Sequence, residues 1–254
     1  MKKTHTGIVA SIKTLASDYL LLSIKVEDVF KFIPGQFVML KVSDTYDPLL
    51  LRPFSIMRAH KNIYEFLIKI RGRGTGLIAN LKKNDFIYLT GPFGNGFPVN
   101  TGRHPIIVAG GAGIASVYSL ARKLKKDKKP FKLLYGAITK KELVMLEDLK
   151  IFDPLIATDD GSYNYHGTVT SLLDKTIEYS STVFACGPMP MLYNVKHIAK
   201  RHKSACYVSL ESRMACGFGV CLGCTIFDMK GNTIRVCKEG PVFNAEDFNL
   251  EDYH

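Results

Sequence analysis

The chain has 254 residues, 46% hydrophobic and 22% charged, with 34 Lys and Arg against 23 Asp and Glu for a formal charge of +11. This composition excludes wholesale disorder and leaves room for one large domain or two modest ones, and no run approaches the ~18 uninterrupted apolar residues of a membrane-spanning helix. The basic opening Met1-Lys2-Lys3 is broken by Gly7, Ser11, Lys13 and Thr14 before any apolar block forms, so no signal peptide is expected.

Residues 5–95 carry β-branched and aromatic residues in short runs, at 8–12, 19–26, 36–42, 63–70 and 86–89. Pro34-Gly35, Asp47-Pro48 and Gly91-Pro92 punctuate them as turns. Short strands at this spacing predict an antiparallel β-barrel. One short helix is expected to begin at Gly74-Thr75 and to cover Leu77 to Leu81.

Between about 100 and 210 the rhythm becomes strand, glycine turn, helix. Pro105-Ile106-Ile107-Val108-Ala109 reads as a buried strand, Gly110-Gly111-Ala112-Gly113 as a turn, and the following residues as a helix through Lys125. Further strands are expected at 131–135, 155–158, 182–186 and 206–210, with helices near 141–149 and 189–202. This alternation predicts a doubly wound parallel α/β sheet. The boundary with the barrel falls near 97–104, and the expected divisions are 1–98, 99–209 and 210–254. The densest basic run, Arg122 to Lys129 before Pro130, sits where a helix should end, and cations there complement the helix dipole. It is therefore read as a solvated helix end, not as a nucleic-acid surface.

Four of the six cysteines fall within the last 45 residues, a segment with too little apolar sequence to hold a core unaided. Their spacing is Cys216-x4-Cys221-x2-Cys224-x12-Cys237. Structural zinc sites favour two short-spaced pairs, whereas three cysteines as C-x4-C-x2-C with a remote fourth match the plant-type arrangement around a 2Fe-2S cluster. Gly217, Gly219 and Gly223 let the loop fold tightly and bring amide groups towards the sulfurs. A cluster of this kind passes single electrons, and the absence of targeting signals and the use of cysteine as ligand suggest the cytoplasm.

Two other constellations suit nucleotides. Arg52-Pro53-Phe54-Ser55 opens a barrel strand and Gly74-Thr75 a helix, so an arginine and free helix amides can meet a pyrophosphate. The Gly110, Gly111 and Gly113 turn joins a strand to a helix as a dinucleotide phosphate loop does, although it is not a G-x-G-x-x-G. Cys186-Gly187-Pro188-Met189 ends a later strand, at the sheet edge where α/β folds place ligands.

Taken in order, these motifs resemble the ferredoxin-NADP reductase superfamily, and within it the family of electron-transfer subunits of NAD-dependent (class 1B) dihydroorotate dehydrogenases. The signatures that carry the resemblance are Gly91-Pro92-Phe93-Gly94-Asn95-Gly96-Phe97, Cys186-Gly187-Pro188-Met189-Pro190-Met191-Leu192, Glu211-Ser212-Arg213-Met214-Ala215-Cys216-Gly217-Phe218-Gly219-Val220-Cys221 and Val236-Cys237-Lys238-Glu239-Gly240-Pro241-Val242-Phe243. The resemblance implies FAD on Arg52, Pro53, Phe54, Ser55, Leu67, Ile68, Lys69, Gly74 and Thr75, with Arg52 and Thr75 on the diphosphate. It implies NAD on Gly110, Gly111, Gly113, Cys186, Gly187 and Pro188, and cluster ligation by Cys216, Cys221, Cys224 and Cys237. It also implies a dihydroorotate dehydrogenase catalytic subunit holding FMN, in a heterotetramer of two copies each, serving pyrimidine biosynthesis. No dihydroorotate site is identified in this chain. Many superfamily members place a tyrosine between the arginine and serine of the flavin motif, where this chain has Phe54 after a proline. A diaphorase-type NAD(P)H/ferredoxin or sulfhydrogenase electron-transfer subunit is the nearest rival, and a zinc-stapled nucleic-acid-binding protein the rival from another class.

Overall fold

The computed structural model describes residues 3–16, 18–42, 45, 47–99 and 103–251. Of the expected boundary stretch, residues 100–102 lie outside the described residues. The first third forms β1 (Lys3–Ala16), β2 (Tyr19–Val26), β3 (Phe37–Lys41), β4 (Arg52–Ser55), β5 (Arg58–His60), β6 (Ile63–Lys69), helix α1 (Arg73–Ala79) and β7 (Phe86–Phe93). The strands pair antiparallel in the order β4-β3-β7-β1-β2-β6-β5. Met57 N donates to Glu65 O at 3.1 Å, so the chain leaving β4 bonds onto β6 and rolls the sheet closed. Val9, Leu22, Ile24, Val38, Leu40, Phe66, Ile68 and Leu89 fill the interior, and Ile78 of α1 plugs one end.

β1 is longer than its apolar run suggested because it serves two partners in succession. Lys3 to Ile8 pair with β7, and Gly7 to Ala16 pair with β2. Gly7 stands where the two ladders overlap, and a Cβ there would lie 2.4 Å from Ile24 Cγ2.

The second sheet is built from β8 (Arg103–Gly110), α2 (Ile114–Lys126), β9 (Lys132–Ala137), α3 (Leu146–Leu149), β10 (Leu155–Thr158), β11 (Tyr165–His166), α4 (Val169–Thr176), β12 (Ser181–Cys186), α5 (Met189–Arg201) and β13 (Ala205–Ser209). After β14 (Thr225–Phe227) and β15 (Thr233–Arg235), β16 (Val242–Asn244) adds an antiparallel edge, giving β11-β10-β9-β8-β12-β13-β16. The central strands alternate strictly between faces. Ile106, Val108, Val183 and Ala185 pack under α4 and α5, while Ile107, Ala109, Phe184 and Cys186 pack with α2. Helices on both faces make the sheet doubly wound.

Strand order reverses between β8 and β12, whose register sets Ala109 beside Cys186. The glycine turn and the Cys186-Gly187-Pro188 segment are thereby neighbours at one topological switch point, where such sheets bind ligands.

The helix expected near 141–149 is corrected to a short 3-10 turn (Lys140–Glu142) and the single turn α3, separated by Met145 in the left-handed region at φ 63°. Leu143, Val144 and Met145 are all buried in the core beside α2. Three consecutive side chains cannot share one face of a helix, so extended backbone wins over helical periodicity. Helix α4 lies outside the expected helices, and its start is capped by Thr168 Oγ1 accepting from Ser171 N at 3.1 Å.

The basic run is indeed the end of α2, with Lys123, Lys125 and Lys126 in the last turn. Lys123 pairs with Asp127 at 2.6 Å, and Lys129 Nζ donates to Val99 O at 3.0 Å.

The C-terminal segment borrows its core. Cys224, Ile226, Val236, Cys237, Phe248 and Leu250 share one apolar cluster with Met39 and Phe93 of the barrel and with α4 and α5. The barrel and the α/β sheet also meet through Arg58, which donates to Glu65, to Asp148 and, at 3.2 Å, to Tyr118 OH. Burial opposes the Arg58 charge, but the hydrogen bonds it donates to Glu65 and Asp148 outweigh it and hold the guanidinium ionised. Arg58→Ala strips the cation from two carboxylates in a partly wet position, and a loss of about 1 to 3 kcal/mol is expected. A thermal melt reads that loss; an unchanged midpoint would show that Arg58 does not fasten the two sheets together.

Candidate functional site

β4 pairs with β3 so that Arg52 opposes Leu40 and Pro53 opposes Met39. Arg52 then lies across the start of α1, where a Cβ on Gly74 would stand 2.2 Å from Arg52 Nε. With glycine there the guanidinium covers the helix start, which places a cation beside free backbone amides as a diphosphate needs. The Thr75 side chain is held at the same helix start. Its hydroxyl accepts from Arg71 N at 2.9 Å and Gly72 N at 3.1 Å, and donates to Gly72 O at 3.0 Å.

On β6 the three expected flavin residues divide between faces. Ile68 is fully buried in the barrel core and offers a ligand only its backbone, and Phe54 also packs against that core. Leu67 faces the α/β unit. Lys69 Nζ lies 5.0 Å over the Tyr19 ring and 3.4 Å from Asp18. Tyr19, which the sequence reading did not single out, is buried, and of the heavy atoms around a Cβ built on Gly111 its hydroxyl alone comes within 4 Å, at 3.7 Å. It thus joins the flavin strand to the glycine turn. Only its position opposite Lys69, a matter of strand register, could have marked it.

The glycines of the nucleotide edge have distinct reasons. A Cβ on Gly113 would be 2.2 Å from Cys186 O, and one on Gly110 would be 2.6 Å from Met191 Sδ. Gly187 likewise clears Met191 Cε, at 2.6 Å. These three let β8, β12 and α5 converge, while a Cβ on Gly111, at φ 51°, would make only an ordinary contact with Tyr19 OH. Cys186 is 1% exposed and burial pushes its thiol up to about 12, so it is a protonated core residue at neutral pH. Behind it the hydroxyls of Ser116 and Ser209 bond at 3.0 Å.

In the cysteine segment the left-handed Gly217 (φ 78°) and Gly219 (φ 86°) curl the loop around Cys216. Burial works against its thiolate, yet the backbone amides of Cys221, Phe218 and Val220 hold it well below an ordinary thiol, at about 6. Gly223 N points at Cys221 Sγ and Cys237 N at Cys224 Sγ, each at 3.4 Å. None of the four cysteines is in a disulfide. Amides aimed at sulfur stabilise thiolate ligands, and Thr225 Oγ1, next to Cys224, is buried without a hydrogen-bond partner that a cluster sulfur would supply. The donor set therefore fits an iron-sulfur cluster. Among the described residues no three His, Cys, Asp or Glu side chains, the four cysteines included, are gathered closely enough to hold a metal ion.

The loop is seated on the barrel. A Cβ on Gly217 would lie 2.5 Å from Met39 Cγ, and Met39 is the register partner of Pro53. Asn95 N donates to Gly240 O at 2.6 Å and Asn95 Nδ2 to Glu239 O at 2.8 Å, so the Gly91–Phe97 signature fastens the segment that carries Cys237. Phe218, Val220 and Leu222 are exposed on the loop, at 53%, 72% and 57%.

Comparison with known proteins adds family to geometry. Residues 211–249 match the family model of the iron-sulfur cluster binding domain of dihydroorotate dehydrogenase B, and residues 7–97 match the oxidoreductase FAD-binding domain. The chain is 39% identical over 232 residues to the dihydroorotate dehydrogenase B (NAD(+)) electron transfer subunit of Clostridium acetobutylicum, covering 91% of each. It is 38% identical to that of Caldanaerobacter subterraneus subsp. tengcongensis, covering 84% of this chain and 86% of the relative. Among solved structures, one of an NADH-dependent reduced ferredoxin-NADP oxidoreductase superposes with a TM-score of 0.86 at 25% identity, over 97% of this chain and 90% of the other. A ferredoxin NADP+ reductase from Neisseria gonorrhoeae with bound FAD and NADP shares the fold at a TM-score of 0.67 and 17% identity, over 79% and 91%.

Proposed function

We propose, because this chain belongs to the dihydroorotate dehydrogenase B electron-transfer subunit family, that it carries electrons from dihydroorotate, oxidised on a partner catalytic subunit, to NAD+ in pyrimidine biosynthesis. When bound, a 2Fe-2S cluster supplies one-electron steps, and FAD converts between these and hydride exchange with nicotinamide. The observation that carries the reading is the seating of the cysteine loop on Met39, one strand from the Arg52–Ser55 segment.

Within this reading Cys216, Cys221, Cys224 and Cys237 hold the cluster. Arg52 and the amides at Gly74 and Thr75 hold the FAD diphosphate, Ser55 and the backbone of Leu67, Ile68 and Lys69 border the ring, and Gly111 admits the nicotinamide nucleotide beside Tyr19. Gly110, Gly113, Gly187 and Pro188 keep the floor of that edge close-packed. Residues 1–98, 99–209 and 210–254 correspondingly serve FAD, NAD and the cluster. NAD is favoured over NADP because the turn after β9 carries Lys140 and Lys141 but no arginine, with Lys140 lying over the Tyr163 ring at 5.2 Å. The partner, holding FMN, docks over the apolar Phe218, Val220 and Leu222 of the cluster loop. Two copies of each chain form the assembly, in the cytoplasm, and no helix among the described residues is long and apolar enough to cross a membrane. A diaphorase-type role is the second reading, favoured by the superposition on the ferredoxin-NADP oxidoreductase.

The test is anaerobic isolation of the chain with its co-purifying proteins, followed by addition of dihydroorotate and NAD+. NADH formation by the complex and not by the chain alone supports the reading. No NADH, with flavin still bleached by added NADH, transfers the chain to the diaphorase reading. Arg52→Ala removes a charge-assisted phosphate contact worth about 1.5 to 3 kcal/mol, so FAD retention on dilution is expected to fall roughly 10- to 150-fold; full retention would free Arg52 of the role.

A further inference from the structure

We propose that Arg235 positions the cysteine loop and sets the reduction potential of its cluster, with Glu239 as the opposing charge; this rests on the cluster reading above. Three elements of the cluster site meet at Arg235. In the β14–β15 hairpin it is paired with Thr225, the residue after Cys224, and directly opposed residues of a ladder share one face. It precedes Cys237 by two positions. Its Nη1 donates at 3.0 Å to Gly219 O, in the loop between Cys216 and Cys221.

The guanidinium is held from its other edge by Glu239. Oε2 accepts from Arg235 N at 2.8 Å and from Nε at 3.0 Å, and Oε1 accepts from Nη2. That fork leaves Nη1 committed to the loop carbonyl. The loop packs against the Lys238 side chain at Gly219, which is left-handed and where a Cβ would lie 2.8 Å from Lys238 Cδ. The Arg235 side chain is only 27% exposed, so water screens it incompletely.

Four thiolates around two irons carry net negative charge, and reduction adds to it. Cluster potentials respond to net charge, hydrogen bonding and exposure. A fixed cation therefore favours the reduced state, and the neighbouring carboxylate counters it. Lysine retains the charge but cannot reproduce a fork that serves a carboxylate and a carbonyl together.

The experiment is an EPR redox titration of the full-length chain in its co-purified complex, with iron and acid-labile sulfide measured on each sample. A wild type without iron and sulfide overturns the cluster reading itself, not the role of Arg235 alone. With the cluster present, R235Q is expected to titrate at a lower midpoint and E239Q at a higher one, at unchanged iron content. Shifts of both in one direction, or none, overturn the proposal. R235K is expected to keep the wild-type midpoint with a broadened EPR line as the loop loses its tether; a fall as large as that of R235Q overturns the charge assignment. Should R235Q lose its iron, E239Q decides the matter, and a midpoint that fails to rise counts against the proposal.

Discussion

Cys224→Ser is expected to abolish dihydroorotate-dependent NAD+ reduction by the assembled complex while leaving FAD bound. Cys224 is 2% exposed at the base of the segment, and Cys237 N points at its sulfur. Serine presents a harder, protonated oxygen in a pocket of amides arranged for a thiolate, and iron-sulfur clusters are held by thiolates. The segments proposed to hold FAD lie on β4, β6 and α1 and include no residue of the cysteine loop. The variant should therefore lose the visible and EPR signals of the cluster, keep its flavin band, and still reduce an artificial dye with NADH. An intact cluster signal would remove Cys224 from the ligand set. Loss of flavin together with cluster would show that the two sites fold as one unit, coupled through Met39, which packs with Cys224 and Cys237 and pairs with Pro53.

Gly113→Ala is expected to be the most damaging single-methyl change at the nucleotide edge. The added carbon would fall 2.2 Å from Cys186 O and 2.5 Å from Cys186 C, backbone atoms fixed by the parallel ladder between β8 and β12. No side-chain rotation relieves that overlap. Overpacking of a well-filled interior costs about 1 to 3 kcal/mol, and more where backbone must move. At about 2 to 4 °C per kcal/mol for a unit of this size, the midpoint of thermal unfolding should drop by several degrees at least. Because the same displacement separates α2 from the end of β12, NADH-dependent flavin reduction should slow beyond what stability explains. Gly111→Ala is the contrast: its Cβ would make only an ordinary contact with Tyr19 OH, so its cost comes from the left-handed backbone and from any nucleotide that approaches there. Equal stability losses in the two variants would contradict this division.

Chemistry was the most legible part of the sequence. The C-x4-C-x2-C spacing with a remote fourth cysteine is set by the size of a cluster, so a local segment is enough to reveal it. The buried strand running into Gly110 announced itself equally well, because a strand covered on both faces has to be apolar at every position. The +11 charge was correctly assigned in part to a helix end, where Lys123, Lys125 and Lys126 lie.

Tertiary structure alone decided why the glycines are glycines. Gly110 and Gly113 read as a phosphate turn, Gly74 as a helix start and Gly217 as a loop residue in a linear sequence, and each is also pressed by an atom from a distant element: Met191, Cys186, Arg52 and Met39. Tyr19 became part of the site through its pairing with Lys69, fifty residues on, and Arg235 through a hydrogen bond to Gly219 across the cysteine loop. The run 141–149 lost its helix because Leu143, Val144 and Met145 had to enter one core together. Residue type and short spacing record what a segment can bind. Close approach between segments depends on register and packing, and these exist only once the chain has folded.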